Sequence, residues 1–322
     1  MRRCLLALCA ALWAALAWAP AWAQEAPWPN RPVRMILPSG PGGAFDIVGR
    51  IVVEGLNGPL GGRMVPENRA GAGGVIAAEA ASRATPDGYT FLLGILSTQV
   101  VIPATQRVPY DPAAFIPVGL TTLAPMVLAV NPNVPARTVQ ELVALTRAQP
   151  DKLNFAYAGK ATLPHLLLGL FMRQTGARPY PVPFSLSGQG LQAVMAGDVQ
   201  GFFEAGSIVR PQVAAGTLRA LAVTSAARDP GLPDVPTMAE AGVPGFVAGS
   251  WTAVFAPAGT PPEIVVRLNA MLAALARDET HIRRLATLGV TPQGGSPAAL
   301  ATWVESERAR WTDLARQLGA PD

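Results

Sequence analysis

The chain has 322 residues, of which 50% are hydrophobic, and a formal net charge of +4 at pH 7. Its two cysteines and two histidines are too few for a disulfide framework or a histidine-based metal site. The basic residues are scattered along the sequence rather than gathered in a stripe, which argues against a nucleic-acid partner. The length allows a substantial hydrophobic core and favours a division into two lobes.

The N-terminus has the pattern of a secretory signal peptide. Two arginines precede an apolar run over residues 4–19, and Ala21-Trp22-Ala23 forms a small-residue cleavage site. The apolar run is too short for a membrane anchor, which is the alternative interpretation. We therefore predict that residues 1–23 are removed together with both cysteines. The mature protein is expected in the periplasm, where it has no disulfides, thiolate ligands or cysteine nucleophile.

A glycine turn stands between the first predicted strand, Val33–Leu37, and a predicted helix over Ile47–Leu60. Its glycines allow a ligand to approach the backbone closely. The N–H groups at the helix start, with the positive end of the helix dipole behind them, favour an anion such as phosphate or carboxylate. The alternative is a plain tight turn. The predicted ligand-binding residues of this turn are Ser39, Gly40, Gly42, Gly43 and Ala44.

Asp46 stands at the end of the same turn, near the first turn of the helix. One interpretation is that its carboxylate binds a ligand donor such as an amine, or orients a bridging water molecule. The other is that the helix N-terminus simply stabilises the negative charge. We include Asp46 among the predicted ligand-binding residues.

The next segments continue the alternation of strands and helices. We predict a strand at Arg63–Glu67, a second glycine turn, a helix at Val75–Arg83 and a strand at Tyr89–Gly94. This alternation predicts a largely parallel α/β sheet. Ser97 and Thr98 follow the carboxyl end of the last strand, where α/β folds place ligands, and the alternative is a generic loop.

The remaining sequence predicts further elements of both kinds. Thr138 is the expected N-cap of a helix, with Glu141 in the capping-box position. The predicted strands are Met126–Val130, Leu153–Ala158, Tyr180–Phe184 (an edge strand, because of its prolines), Val199–Glu204 and Leu218–Thr224. The predicted helices are Val139–Ala148, His165–Thr175, Ser187–Met195, Pro261–Ala276 and Ser296 to about Leu318.

No motif of the sequence indicates catalysis or a cofactor. There is no Gly-x-Ser-x-Gly elbow and no cluster with metal-ligand spacing. The glycine turn lacks the Gly-Lys-Ser/Thr of a P-loop and the spacing of a dinucleotide-binding loop. We therefore expect neither an enzyme nor a bound cofactor or metal.

A set of segments, each weak alone but specific in order and spacing, covers essentially all of the predicted mature chain. These segments are Trp28–Arg34, Pro38–Asp46, Val65–Gly74, Pro86–Thr90, Val108–Pro112, Leu218–Ser225, Leu232–Thr237 and Ala256–Pro262. Through them the chain resembles the substrate-binding proteins of tripartite tricarboxylate transporters, also called the Bug family of extracytoplasmic solute receptors.

The resemblance implies a type II periplasmic binding fold, with two α/β lobes and a ligand cleft between them. One lobe would contain residues 24–124 and 226–322, and the other residues 125–225. The implied ligand is a small organic anion or amide, and a carboxylate is favoured over a phosphate. The implied partner is the set of membrane permease subunits of such a transporter. The alternative is a sensor that docks on the periplasmic domain of a signalling kinase.

The resemblance also assigns ligand-binding residues to the second lobe. Family members have a serine- and glycine-rich run where this chain has Ala158-Gly159-Lys160-Ala161-Thr162, followed by His165. Ala158, Gly159, Thr162 and His165 are therefore predicted to bind ligand, although packing or capping is the commoner role of such a histidine. Lys160 either supplies a positive charge directly to an acidic ligand or points to solvent.

Three further positions depart from the family pattern. Phe184 and Ser187 stand in a segment that is often Tyr-Lys-Gly-Gly in relatives, and Glu204 stands where relatives often have aspartate. Phe184 is expected to form an apolar wall of the cleft, with a core position as the alternative. Glu204 is expected to face the cleft or the hinge. Trp251 is a weaker candidate for the cleft, because a buried tryptophan is common.

Overall fold

The computed structural model describes residues 28–159 and 162–317. The predicted signal peptide, Lys160 and the predicted helix end at Leu318 lie outside these residues. From Arg31 onward the described chain belongs to one compact unit. None of the helices in the described ranges combines the length and hydrophobicity that crossing a bilayer requires.

The first part of the chain forms strands and helices that alternate, as predicted. Strand β1 pairs in parallel with β2 on one side and β3 on the other. The first helix begins three residues earlier than predicted, because Gly43 is extended and its carbonyl accepts the N–H groups of Asp46 and Ile47. The elements are β1 (Val33–Leu37), α1 (Ala44–Asn57), β2 (Met64–Asn68), α2 (Val75–Ser82) and β3 (Thr90–Ile95).

The segment after β3 is helical, so the alternative of a generic loop is wrong. A π-helical turn, Ser97–Val101, continues directly into α3 (Ile102–Thr105). The Thr98 hydroxyl accepts the N–H of Ile95 and donates to its carbonyl, which joins the end of β3 to the start of the turn. This local bonding begins a helix without a glycine or a conventional capping residue.

Strand β4 (Ile116–Val130) links two groups of strands, and the sequence predicted only its last five residues. Residues 116–125 pair with β9 (Gly249–Ala256), whereas residues 126–130 pair with β7 (Gly201–Ala205) and β8 (Arg219–Val223). All of these pairings are antiparallel, as is that of β9 with β3. The expectation of a largely parallel sheet is therefore wrong, and the described strands form a mixed sheet.

The second group of strands carries its own helices. Thr138 caps α4 as predicted, by accepting the N–H of Glu141. Strand β6 pairs with β5 alone among the described strands, which confirms the predicted edge strand. The elements are α4 (Val139–Ala148), β5 (Asn154–Ala158), α5 (Leu163–Thr175), β6 (Tyr180–Phe184), α6 (Ser187–Ala196) and α7 (Gly206–Ala214).

The C-terminal part returns to the first group of strands through β9. It then forms α8 (Pro262–Leu275), α9 (Glu279–Ala286), the two-residue strand β10 (Thr291–Pro292) and α10 (Pro297–Gln317). The sequence analysis found α8 and α10 but missed α7, α9, β9 and β10.

The main hydrophobic cluster crosses both strand groups and reaches α10. It contains Leu92, Phe155 and Trp311. Trp251 is fully buried in the same cluster, and its indole N–H donates to Glu307 at 3.0 Å. The interpretation of Trp251 as a cleft residue is therefore wrong. The bond to Glu307 of α10 directs this tryptophan of β9 into the core.

Candidate functional site

The described residues enclose a cavity of about 830 Å³ at the carboxyl ends of β1, β3, β5 and β7. Residues at and just beyond these strand ends line it, which is where α/β sheets bind their ligands. The volume suits a small ligand, and most of the lining is apolar. The first strand group contributes Pro38, Phe45, Ala72, Gly73, Ser97 and Ile102, and the second contributes Met126, Ala158, Thr162, Leu163, Ser187, Glu204 and Ala205.

The glycine turn keeps its shape through its own backbone bonds. The N–H of Gly42, a residue with φ +77°, donates to Asp46, and the N–H of Gly43 donates to the Gly40 carbonyl. Within the described chain, the N–H groups of Ala44 and Phe45 have no acceptor. These two groups stand at the positive end of α1, so they are available to an anion.

The turn reaches the cavity at its two ends. Pro38 and Phe45 line the cavity, whereas Ser39, Gly40, Gly42, Gly43 and Ala44 lie between them and are not among the lining residues. The Ser39 hydroxyl is buried and has no hydrogen-bond partner in the described part of the chain. The predicted role of these five residues in binding a ligand stays a prediction.

Asp46 is only 3% exposed and does not line the cavity. Its oxygens accept the N–H of Gly42 and the amide of Asn68 at 2.8 Å, and the guanidinium of Arg50 at 2.9 Å. Burial alone would raise the pKa of Asp46, but the bonds from Asn68 and Gly42 and the charge of Arg50 hold it below the ordinary value. The carboxylate thus fastens the turn to α1 and β2, and ligand contact stays a prediction.

Ser97 and Thr98 take different positions. Ser97 lines the cavity, and its hydroxyl donates to the carbonyl of Gly73 at 2.9 Å. Thr98 is fully buried behind it and bonds only to the backbone of Ile95 among its described side-chain partners. The bond from Ser97 holds the second glycine turn against the end of β3.

On the opposite side, Ala158 and Thr162 line the cavity. Thr162 is the N-cap residue of α5, and its hydroxyl donates to the carbonyl of Ala158 at 2.7 Å. Gly159, with φ +75°, lies behind them and donates its N–H to the carbonyl of Phe184. Glycine suits this position because other residues adopt such a backbone conformation at a cost.

Two other predicted residues of this side do not line the cavity. His165 is buried, and its ring stacks on Tyr157 with the ring centroids 4.2 Å apart. Phe184 is half-buried and packs against the smaller hydrophobic cluster with Val194. Both positions agree with the packing alternatives, while their predicted contact with ligand stays a prediction.

Glu204 lines the cavity and is only 6% exposed. Its Oε1 accepts the N–H of Ala205 at 2.8 Å. Burial raises the pKa of Glu204, and the Ala205 N–H and the nearby Ser187 hydroxyl offset part of that increase. The other charged residue in the described lining is Arg107, which is exposed.

Sequence reasoning missed a large part of the lining. Val101, Ile102 and residues 105–108, in the π-helical turn, α3 and the loop after it, line the cavity, and of these only Val108 belonged to a segment that the sequence had marked. Gly73 belongs to the second glycine turn, which the sequence did predict, so its place in the lining could have been proposed from the sequence. No group of three or more potential metal ligands occurs among the described residues.

Comparison with known proteins gives consistent matches. The sequence profile of the tripartite tricarboxylate transporter family receptor matches residues 48–320. Protein BugT of Bordetella pertussis is 36% identical over 296 residues, which cover 91% of each chain.

Solved structures are similar over the same span. The R. palustris protein Rpa4515 with adipate is 35% identical, with a TM-score of 0.76 over 91% of this chain and 98% of its own. MatC from Rhodopseudomonas palustris with bound malate is 34% identical, with a TM-score of 0.72 over 89% of this chain and 100% of its own. These similarities confirm the expected fold class of periplasmic binding proteins.

Proposed function

This chain belongs to the tripartite tricarboxylate transporter receptor family, and we propose that it captures a small carboxylate and delivers it to the membrane subunits of such a transporter. One observation carries the proposal. The cavity of about 830 Å³ lies where four strands end, and relatives about one-third identical hold adipate and malate. The family is one of solute receptors, so the cavity serves binding rather than catalysis.

The first glycine turn provides the anion site in this proposal. The N–H groups of Ala44 and Phe45 lie at the start of a 14-residue helix, where the partial positive charge is largest. Peptide groups bind a carboxylate without the desolvation penalty of a buried arginine. Bridging water molecules can complete its coordination.

Closure of two lobes completes the proposed mechanism. We assign residues 24–124 and 226–322 to one lobe and residues 125–225 to the other. The change of partners along β4, from β9 to β7 and β8 after residue 125, supports this boundary. A ligand that contacts both lobes favours the closed state, which the permease can then distinguish from the open one.

The proposal places the mature protein in the periplasm, after removal of residues 1–23. The pattern of two arginines, an apolar run and a small-residue cleavage site supports export. Mass spectrometry of the protein purified from the periplasmic fraction should show a chain that begins at Gln24.

The binding test uses the mature chain purified without denaturation. Mass spectrometry under native conditions should identify any retained solute, and thermal shift followed by calorimetry should rank mono- and dicarboxylates of three to eight carbons, with amides as a comparison. At least one carboxylate should bind and raise the melting temperature. If a folded sample binds no carboxylate, the proposal is wrong.

Uptake separates transport from sensing. Deletion of the gene should abolish uptake of the solute that binds. Normal uptake together with a lost transcriptional response would instead support the sensor alternative.

A further inference from the structure

We propose that Glu204 makes this receptor selective for amino-carboxylates, that is, small carboxylates that carry an ammonium group at the end remote from the bound carboxylate. This inference rests on the proposed function and names the substrate class of the same cavity. The juxtaposition that carries it is a buried acid, lacking a cationic partner among the described residues, in the wall of a cavity that receives small organic anions.

The position of Glu204 is fixed by the fold. It is the penultimate residue of β7, between β4 and β5, and its side chain lines the cavity together with Met126, Ala158 and Ser187. Of these neighbours only Ser187 is polar. The acid therefore stands in an otherwise apolar part of the wall that the second strand group forms, whereas the first glycine turn belongs to the first group.

The acid is under-satisfied. A carboxylate has about four acceptor sites, and the contacts seen are the N–H of Ala205 and the hydroxyl of Ser187. No arginine or lysine of the described residues forms an ion pair with it. The contrast within the chain is clear, because buried Asp46 pairs with Arg50 and buried Asp229 pairs with Arg210. A buried charge without such a partner is costly, so a cation that arrives with a ligand would be favourable beside this acid.

The cavity is the place from which that partner can come. A small recess of about 10 Å³ adjoins Glu204 beside Gly190 and Phe202. That volume is at the lower limit for one water molecule. Glu204 also lines the main cavity, from which a ligand could reach its remaining acceptor sites.

The chemistry of the acid decides which ligand end it accepts. A second carboxylate beside Glu204 would bring two negative charges together in an apolar wall, and one of them would have to take up a proton. An ammonium group would instead provide three donors and the missing positive charge. Burial already raises the pKa of Glu204, which is the response expected of an acid whose cation is absent.

The experiment compares ligands that differ only at one end. Length-matched sets of monocarboxylate, dicarboxylate and ω-amino-carboxylate, from three to eight carbons, are titrated calorimetrically into the mature protein; butanoate, succinate and 4-aminobutanoate form one such set. At the best length, the amino member should bind at least about tenfold more tightly than the dicarboxylate.

Substitution of Glu204 tests whether this residue is responsible. Glu204→Gln keeps the shape of the side chain and removes its charge. It should weaken binding of the ω-amino-carboxylate about tenfold or more, while the affinity for the monocarboxylate should change by less than about threefold. Glu204→Asp keeps the charge and should retain the order of preference. Glu279→Gln, at a side chain that is 86% exposed, is the matched control and should change nothing.

Each outcome is decisive. Tighter binding of dicarboxylates to the wild type, or equal effects of Glu204→Gln on all three end groups, would overturn the selectivity but leave the receptor function intact. Failure of every carboxylate to bind the folded protein would overturn both proposals.

Discussion

Two buried acids differ in what surrounds them: Asp46 lies at the first glycine turn and does not line the cavity, whereas Glu204 lines it. Asp46, beside the glycine turn, accepts bonds from Gly42, Asn68 and Arg50, and its pKa is lowered. Glu204, in the cavity wall, has fewer donors and no cation from the described residues, and its pKa is raised. The exposed fractions of the two side chains are similar, but Asp46 has the bonds from Asn68 and Gly42 and the charge of Arg50, whereas burial dominates at Glu204.

The comparison distinguishes an acid whose oxygens are bonded within the fold from an acid that can still accept bonds from a ligand. The oxygens of Asp46 are occupied by three elements of the fold, so a ligand would have to compete with them. Glu204 keeps acceptor capacity on the cavity side, so a ligand can complete its coordination. Variants of the two acids should therefore differ in what they damage.

The largest expected effect is a loss of stability in Asp46→Ala. Removal of the carboxylate leaves the N–H of Gly42 and the amide of Asn68 without their acceptor in a half-buried turn. We expect the free energy of unfolding to fall by about 3 kcal/mol, measured by urea denaturation. Asp313→Ala, at an exposed position of α10, is the control. A loss no greater than in the control would show that Asp46 does not fasten the turn.

Glu204→Gln should affect stability in the opposite direction. The amide still accepts the N–H of Ala205 but no longer carries a charge that lacks a cation. In the absence of ligand at neutral pH, we expect the variant to be unchanged or more stable by about 1 kcal/mol. A clear destabilisation would mean that the charge of Glu204 is already compensated within the protein.

The pH dependence of the two variants sharpens the contrast. The pKa of Asp46 is below its ordinary 3.8 in the folded state, so its contribution is full above that value and is lost as the pH falls. The pKa of Glu204 is above its ordinary 4.5, so its contribution is full below that value and is lost as the pH rises.

Denaturation at a series of pH values between about 3 and 7 checks these signs. Asp46→Asn should have a lower free energy of unfolding than the wild type, and this difference should shrink toward acid pH. The free energy of unfolding of Glu204→Gln, relative to the wild type, should instead rise toward neutral pH. Parallel curves for the two variants would contradict the assignment of opposite pKa shifts.

The smallest effect is expected for the conservative variant of a third buried acid, Glu307, which does not line the cavity. Glu307 accepts the indole N–H groups of Trp251 and Trp311, both at 3.0 Å, and burial raises its pKa. Glu307→Gln keeps an acceptor for these groups, so we expect a change below about 0.5 kcal/mol and unaltered ligand affinity. Glu307→Leu, which removes the acceptor, should cost about 2 kcal/mol by the same denaturation assay. Equal effects of the two variants would exclude the indole bonds as the reason.

The sequence by itself determined the features that depend on neighbouring residues. The strand, glycine turn and helix start over residues 33–46, the Thr138 cap and the proline-marked edge strand Tyr180–Phe184 were all readable, because each follows from local backbone preferences. The ordered family motifs also determined the fold class. Ser97, Ala158, Thr162, Ser187 and Glu204 were predicted to bind ligand; they line the cavity, and their contact with a ligand stays a prediction.

The tertiary structure decided what depends on distant contacts. Strand β4 runs on through Pro117 and Pro125 because β9, more than 120 residues away in sequence, pairs with it across register shifts. Asp46 became a structural acid because Asn68 reaches it from β2, and Trp251 became a core residue because Glu307 of α10 accepts its indole N–H inside the main cluster. Local sequence patterns report on adjacent residues, whereas burial and hydrogen-bond partners are set by elements that only folding brings together.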